Sequence, residues 1–150
     1  MADFQLDTNI LLRSAEPAHS THHYAVNAVR ELLENGDRVC LISQNLIEFW
    51  NVASRPIENN GFGWDSARID TAITGLESVL TILPDSQAIY REWKRLVVVH
   101  KVIGKQVHDT RIVAAMNVHN ISNLLTFNKA DFKRFEHITL IDPAMPAKSQ

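Results

Sequence analysis

Leu6-Asp7-Thr8-Asn9-Ile10-Leu11-Leu12-Arg13 places a carboxylate, a hydroxyl and an amide between Phe4-Gln5-Leu6 and the apolar run Ile10-Leu11-Leu12. Burying an unpaired charge in such surroundings costs several kcal/mol, so Asp7 needs a partner. Two readings supply one. Asp7 caps the helix that follows, or it ends a sheet strand as a metal ligand.

Outward from this stretch, short apolar runs recur at Phe4-Leu6, Val39-Ile42, Val79-Leu83, Leu124-Thr126 and Thr139-Ile141, with helical patterns between most of them. Alternation of this kind predicts a parallel sheet covered by helices on both faces. Val26, Val29, Leu32 and Leu33 mark a helix within 21–35 that Gly36 can close. Ser43 is expected to cap a helix carrying Leu46, Ile47, Trp50 and Ala53 that ends at Arg55-Pro56. Asp65 and Asp85 are expected to cap the two helices around Ile69 and around Trp93. The predicted order is β-α-α-β-α-α-β-α-α-β-β, with a helical turn near Ala130-Phe132 before the last strand. One domain over 1–142 and a loose tail over 143–150 are expected.

The bulk numbers agree. A chain of 150 residues with 45% hydrophobic content is large enough for one packed core. Fifteen basic and 17 acidic residues leave a formal charge of -2, unlike an avid duplex DNA binder, so any nucleic-acid contact is local. The lone Cys40, in an apolar run, suits a reducing compartment, and no signal or membrane-spanning pattern is visible; a cytoplasmic protein is expected.

In open α/β sheets, functional groups gather beyond the carboxyl ends of the strands. Asp7 ends the first strand, Glu48 lies just over one turn into the helix after the second, Asp109 opens a helix in Val107-His108-Asp109-Thr110-Arg111-Ile112, and Asn128 and Asp131 follow the fourth strand. Each acid alone also reads as a cap or turn residue. Together, converging carboxylates repel one another and raise their own pKa values unless a cation intervenes. All-oxygen ligation favours Mg²⁺ or Mn²⁺, and two such ions about 3.5 to 4 Å apart suit phosphodiester hydrolysis.

LDTNILLR, QNLIEFWNVASRP, HDTRIVAAM and LLTFNKADF, in this order across nearly the whole chain, resemble the PIN-domain nucleases, in particular VapC-like toxins of bacterial toxin-antitoxin modules. The resemblance implies a PIN-like five-stranded parallel sheet, Mg²⁺- or Mn²⁺-dependent endoribonuclease action on single-stranded RNA, a homodimer and a small antitoxin partner. It carries the metal ligands onto Asp7, Glu48 and Asp109, and adds Asp131 to the catalytic set. At the fourth position Thr126 is followed by Phe127 and Asn128, so that either Asn128 or Asp131 fills it. Thr8, Asn9, Thr126 and Asn128 are expected to support the carboxylates. The alternative is a PIN-like RNA- or protein-binding module without turnover. Asp-Thr-Asn is also similar to the Asp-x-Asp of aspartyl-phosphate phosphatases, but Asn9 stands where that chemistry uses a second acid.

Arg13, Arg55 and Lys129, with Lys133 and Arg134, read first as solvated surface cations and second as candidate phosphate contacts. Trp50 is expected in the core and Trp64, beside the Gly-rich loop, to be available for stacking. His19, His22 and His23 read as a solvated helix start, and His108 as a neighbour able to tune Asp109 or bind substrate.

Overall fold

Strands joined by helical crossovers pair in parallel, because each crossover returns the chain to the same end of the sheet. In the computed structural model, which describes residues 1–145, β1 (Asp3–Leu6), β2 (Arg38–Leu41), β3 (Thr81–Ile82), β4 (Asn123–Leu125) and β5 (Thr139–Ile141) form one parallel sheet in the order β3-β2-β1-β4-β5. The helices are α1 (Thr8–Ser14), α2 (His22–Glu34), α3 (Ser43–Ser54), α4 (Ser66–Val79), α5 (Gln87–His100) and α6 (Gln106–Val118), with 3₁₀ turns at Ile57–Asn59 and Lys129–Phe132. The expected five-stranded parallel α/β sheet and its element order are both observed.

Successive strand residues point to opposite faces, so one strand feeds two cores. Val39 and Leu41 join Leu6, Ile10, Phe49, Ile69 and Leu125 on one face, whereas Cys40 and Ile42 join Ile89, Leu96, Ile112, Met116 and Leu124 on the other. Both faces are therefore covered, which explains why the strands read as continuous apolar runs.

Several local expectations are corrected. The third strand is only Thr81–Ile82, because Val79 completes the last turn of α4. Asp65 caps α4 through the Arg68 N–H (2.9 Å), as expected. Ser43, however, is the first residue of α3 rather than its cap; the Asn45 side chain accepts the Ile42 N–H instead (2.9 Å), and the Ser43 hydroxyl donates to Asp85 (2.6 Å). Asp85 is thus engaged across the surface, and Ser86 flanks α5. Trp50 is not in the core: it is 36% exposed, whereas Trp64 packs edge-on against Phe49, with Arg68 over its ring at 4.1 Å. At the C-terminus Pro143 is buried and Ala144 hydrogen-bonds to Asp142; the rest of the expected tail, 146–150, lies outside the described residues. Among the described residues no helix is long and apolar enough to cross a membrane.

Candidate active site

The strand order reverses at β1, whose neighbours β2 and β4 are reached in opposite directions, and such a switch point opens a crevice beyond the strand ends. The register pairs Leu6 with Leu125, so the next residues, Asp7 and Thr126, emerge side by side. The Asp7 N–H donates to the Leu125 carbonyl (2.9 Å), which holds the two strand ends together at this level.

Asp7 is 7% exposed and serves both readings at once. Its Oδ1 accepts the Thr8 N–H at the start of α1 (2.8 Å), and its Oδ2 accepts the Thr126 hydroxyl (2.8 Å). Even so, burial pushes its carboxyl up to about 6, helped by the charges of Glu48 and Asp131 and opposed by the two hydrogen bonds. Asp109, in the first turn of α6, is pushed up to about 7, first by burial and then by the charges of Asp7, Asp131 and Glu48. Glu48 and Asp131 therefore lie within electrostatic reach of both Asp7 and Asp109, although the four acids come from four distant segments. None of the ion pairs among the described residues engages any of them.

Glu48 is held by two donors. The Thr8 hydroxyl reaches its Oε1 at 2.6 Å, and Gln44 Nε2 its Oε2 at 3.1 Å. Thr8 in turn accepts from Asn45 Nδ2 (3.0 Å). Asn45, fully buried, also donates to the Leu6 carbonyl (3.3 Å) and accepts from Gln5 Nε2 (2.9 Å). Thr126, besides serving Asp7, accepts the Asn128 N–H (2.9 Å), while Asn9 makes two long contacts of 3.5 Å, to the Thr126 hydroxyl and from the Phe127 N–H. Asn128 thus participates through its backbone with its side chain exposed, and Asp131 is the residue there whose charge reaches both Asp7 and Asp109.

The remaining candidates are scattered. Arg13 is paired with Glu16, Arg134 donates to Gln106, Lys129 and Lys133 are exposed, and the buried Arg55 Nε has no hydrogen-bond partner among the described residues. His22 bonds the Arg13 carbonyl (2.9 Å) and His19 bonds Thr21, so these two serve the start of α2, while the His23 ring packs against Tyr24 (4.0 Å between centroids). His108 is exposed, and it is its carbonyl that faces the site, accepting from Gln44 (2.8 Å). Gln44 and Asn45 are the two residues the sequence reading passed over. Their signals were present: Gln44 stands four residues before Glu48 on one helix face, and Asn45 is a polar residue on a face otherwise carried by Phe49 and Ala53.

The donors fit a hard divalent cation: they are carboxylate oxygens whose charges raise one another's pKa, and among the described residues no ion pair neutralises them. Among the described residues no three His, Cys, Asp or Glu side chains close on one point at coordination spacing.

A family model for the PIN domain matches residues 5–138. No curated protein sequence matches the chain significantly. Among solved structures, the chain is similar to VapBC-1 from nontypeable Haemophilus influenzae (22% identity, 95% of this chain and 99% of that one, TM-score 0.71). It is also similar to a toxin-antitoxin complex from Klebsiella pneumoniae (20% identity, 95% and 98%, TM-score 0.65). A third similar structure is Mycobacterium tuberculosis VapC20, a sarcin-ricin loop cleaving toxin (17% identity, 81% and 86%, TM-score 0.60). At these identities the structures speak for the fold, and the family model, which spans most of the sequence, places this chain in the PIN-domain family.

Proposed function

We propose that this protein is a metal-dependent endoribonuclease hydrolysing phosphodiester bonds of single-stranded RNA, and the toxin of a toxin-antitoxin pair. The observation that carries the reading is the raised, uncompensated pair Asp7 and Asp109 at the sheet's switch point, with Glu48 and Asp131 adding charge to it. Asp7, Glu48 and Asp109 would hold Mg²⁺ or Mn²⁺, and Asp131 rather than Asn128 would complete the acidic set. When bound, the cation supplies the positive charge these carboxylates lack and the Lewis acidity that phosphodiester hydrolysis uses. The chain's own contribution is orientation: the Thr126 and Thr8 hydroxyls each donate to a carboxylate oxygen, fixing Asp7 and Glu48 while leaving lone pairs free.

Action on RNA draws support from the likeness to VapC20, and an antitoxin partner from the likeness to the Klebsiella pneumoniae complex. An apolar groove lined by Leu11, Val26, Val29, Leu33, Leu76 and Leu80 is suited to the apolar face of a partner helix. Exposed Tyr90, Val98 and Val99 on α5 offer a surface for a second copy.

A second reading, a PIN-like binding module without turnover, is favoured by the acids not closing to coordination spacing among the described residues. One experiment separates the two. Purified protein is incubated with single-stranded RNA in MnCl2 or EDTA, alongside Asp7→Asn and Asp109→Asn. The enzyme reading expects cleavage that EDTA and either substitution abolish; equal cleavage in the variants overturns the assignment of Asp7 and Asp109, and RNA binding with no cleavage in any metal supports the module. For the partner, co-expression with any short adjoining reading frame is expected to yield a complex that restores growth.

A further inference from the structure

We infer that Gln44 is a positioning residue that sets the spacing between Glu48 and Asp109; the inference rests on the metal-site reading proposed above. These two acids come from helices α3 and α6, and Gln44 is the side chain that ties one to the other. Its Nε2 donates both to Glu48 Oε2 (3.1 Å) and to the carbonyl of His108, the residue before Asp109 (2.8 Å). Both neighbours only accept, which fixes the orientation of the amide. Its Oε1 then faces Arg111, whose Nη1 donates to it at 3.3 Å, and the other arm of Arg111 reaches Asp85 (3.4 Å). Asp85 takes the Ser43 hydroxyl at the first residue of α3, so the network closes on the helix from which it starts.

The geometry explains why glutamine suits the position. Asparagine is one methylene too short to reach both acceptors, and methionine fills the space without donating. Glu48 meanwhile has each oxygen bound by a different donor, Thr8 from α1 and Gln44 from its own helix, so that its carboxylate plane is fixed from two sides. Removing one donor frees the carboxylate to rotate and releases the start of α6. Outer-shell changes of this type typically lower metal affinity about 10- to 100-fold. Gln44 is half-buried at the surface, and its loss opens no core cavity.

The test is Mn²⁺ titration of the full chain by calorimetry, with unfolding temperature in EDTA measured in parallel. Gln44→Met is expected to bind Mn²⁺ at least about 10-fold more weakly than wild type while melting within about 2 °C of it without metal. Gln44→Asn, which keeps an amide, is expected to lose affinity similarly. Wild-type affinity in both variants overturns the inference and leaves the metal-site reading standing. Loss of affinity only in proportion to a large drop in metal-free melting temperature also overturns it, because Gln44 would then be a structural residue. A wild-type chain that binds no Mn²⁺ overturns both.

Discussion

Asp7 and Asp109 respond differently to the same environment because their hydrogen bonding differs. Asp7 spends one oxygen on the α1 N-terminus and the other on Thr126, whereas among the described residues nothing donates to Asp109. Asp109 accordingly rises further, to about 7 against about 6. Neutralising it should relieve repulsion at no cost in hydrogen bonds. Asp109→Asn is expected to raise metal-free stability at pH 8 by about 1 kcal/mol, or about 2–4 °C, while abolishing the proposed cleavage. Thermal melts in EDTA check the first part, and a lower melting temperature contradicts it. A pH dependence follows from the same shifts. Both carboxyls start from 3.8 and are raised by folding, so between about 4 and about 7 the folded chain holds protons that the unfolded chain has released. Their contribution to stability is complete below about 4 and is lost as pH rises through 6 to 7. Measured as the difference between wild type and Asp109→Asn, the stability lost from pH 5 to pH 8 in EDTA should be larger in wild type, and MnCl2 at pH 8 should restore it. Parallel curves for the two proteins would remove the electrostatic basis of the site.

At the level of elements, the first turn of α3 carries most of the organisation. Asn45 accepts from Ile42 and Gln5 and donates to Leu6 and Thr8, joining the ends of β1 and β2 to α1 inside the protein. Asn45→Ala would leave buried donors on Ile42 and Gln5 unanswered, and a loss of about 3 kcal/mol in urea unfolding is expected; a loss under about 1 kcal/mol would mean that water replaces the amide. This turn is also where the sequence was least legible. The strands were visible in Val39-Ile42 and Leu124-Thr126 because residues buried on both faces leave no polar alternation, and Asp7, Glu48 and Asp109 stood out as acids among apolar residues. Ser43 misled because a serine before an apolar helical pattern has the chemistry of a cap, and only the placement of Asp85 across the surface reveals the hydroxyl's actual partner. Trp50 misled for a related reason: helical spacing alone does not say how far the α4 side extends over α3. Asp7 presented cap and site as alternatives, yet a carboxylate has two oxygens and this one does both.

Across the whole molecule, the order β3-β2-β1-β4-β5 places the ends of β1 and β4 together, although 119 positions separate Asp7 from Thr126 in sequence. The acids then concentrate negative charge at one end of a chain whose net charge is already -2. An RNA backbone approaching that end meets repulsion in the absence of a cation, and among the described residues the candidate cations offset it only in part: Arg13 and Arg134 are already engaged with Glu16 and Gln106, whereas Lys129 and Lys133 are exposed near Asp131. Phosphate neutralisation by side chains should therefore be limited to about two or three groups. For single strands the salt slope is roughly 0.7 per phosphate neutralised, so log Kobs against log salt is expected to fall with a slope of about -2. The measurement is fluorescence anisotropy of a labelled single-stranded RNA bound to Asp109→Asn across a salt series, a variant chosen so that the RNA stays intact. A slope steeper than about -5 would mean that a basic surface beyond these side chains governs association.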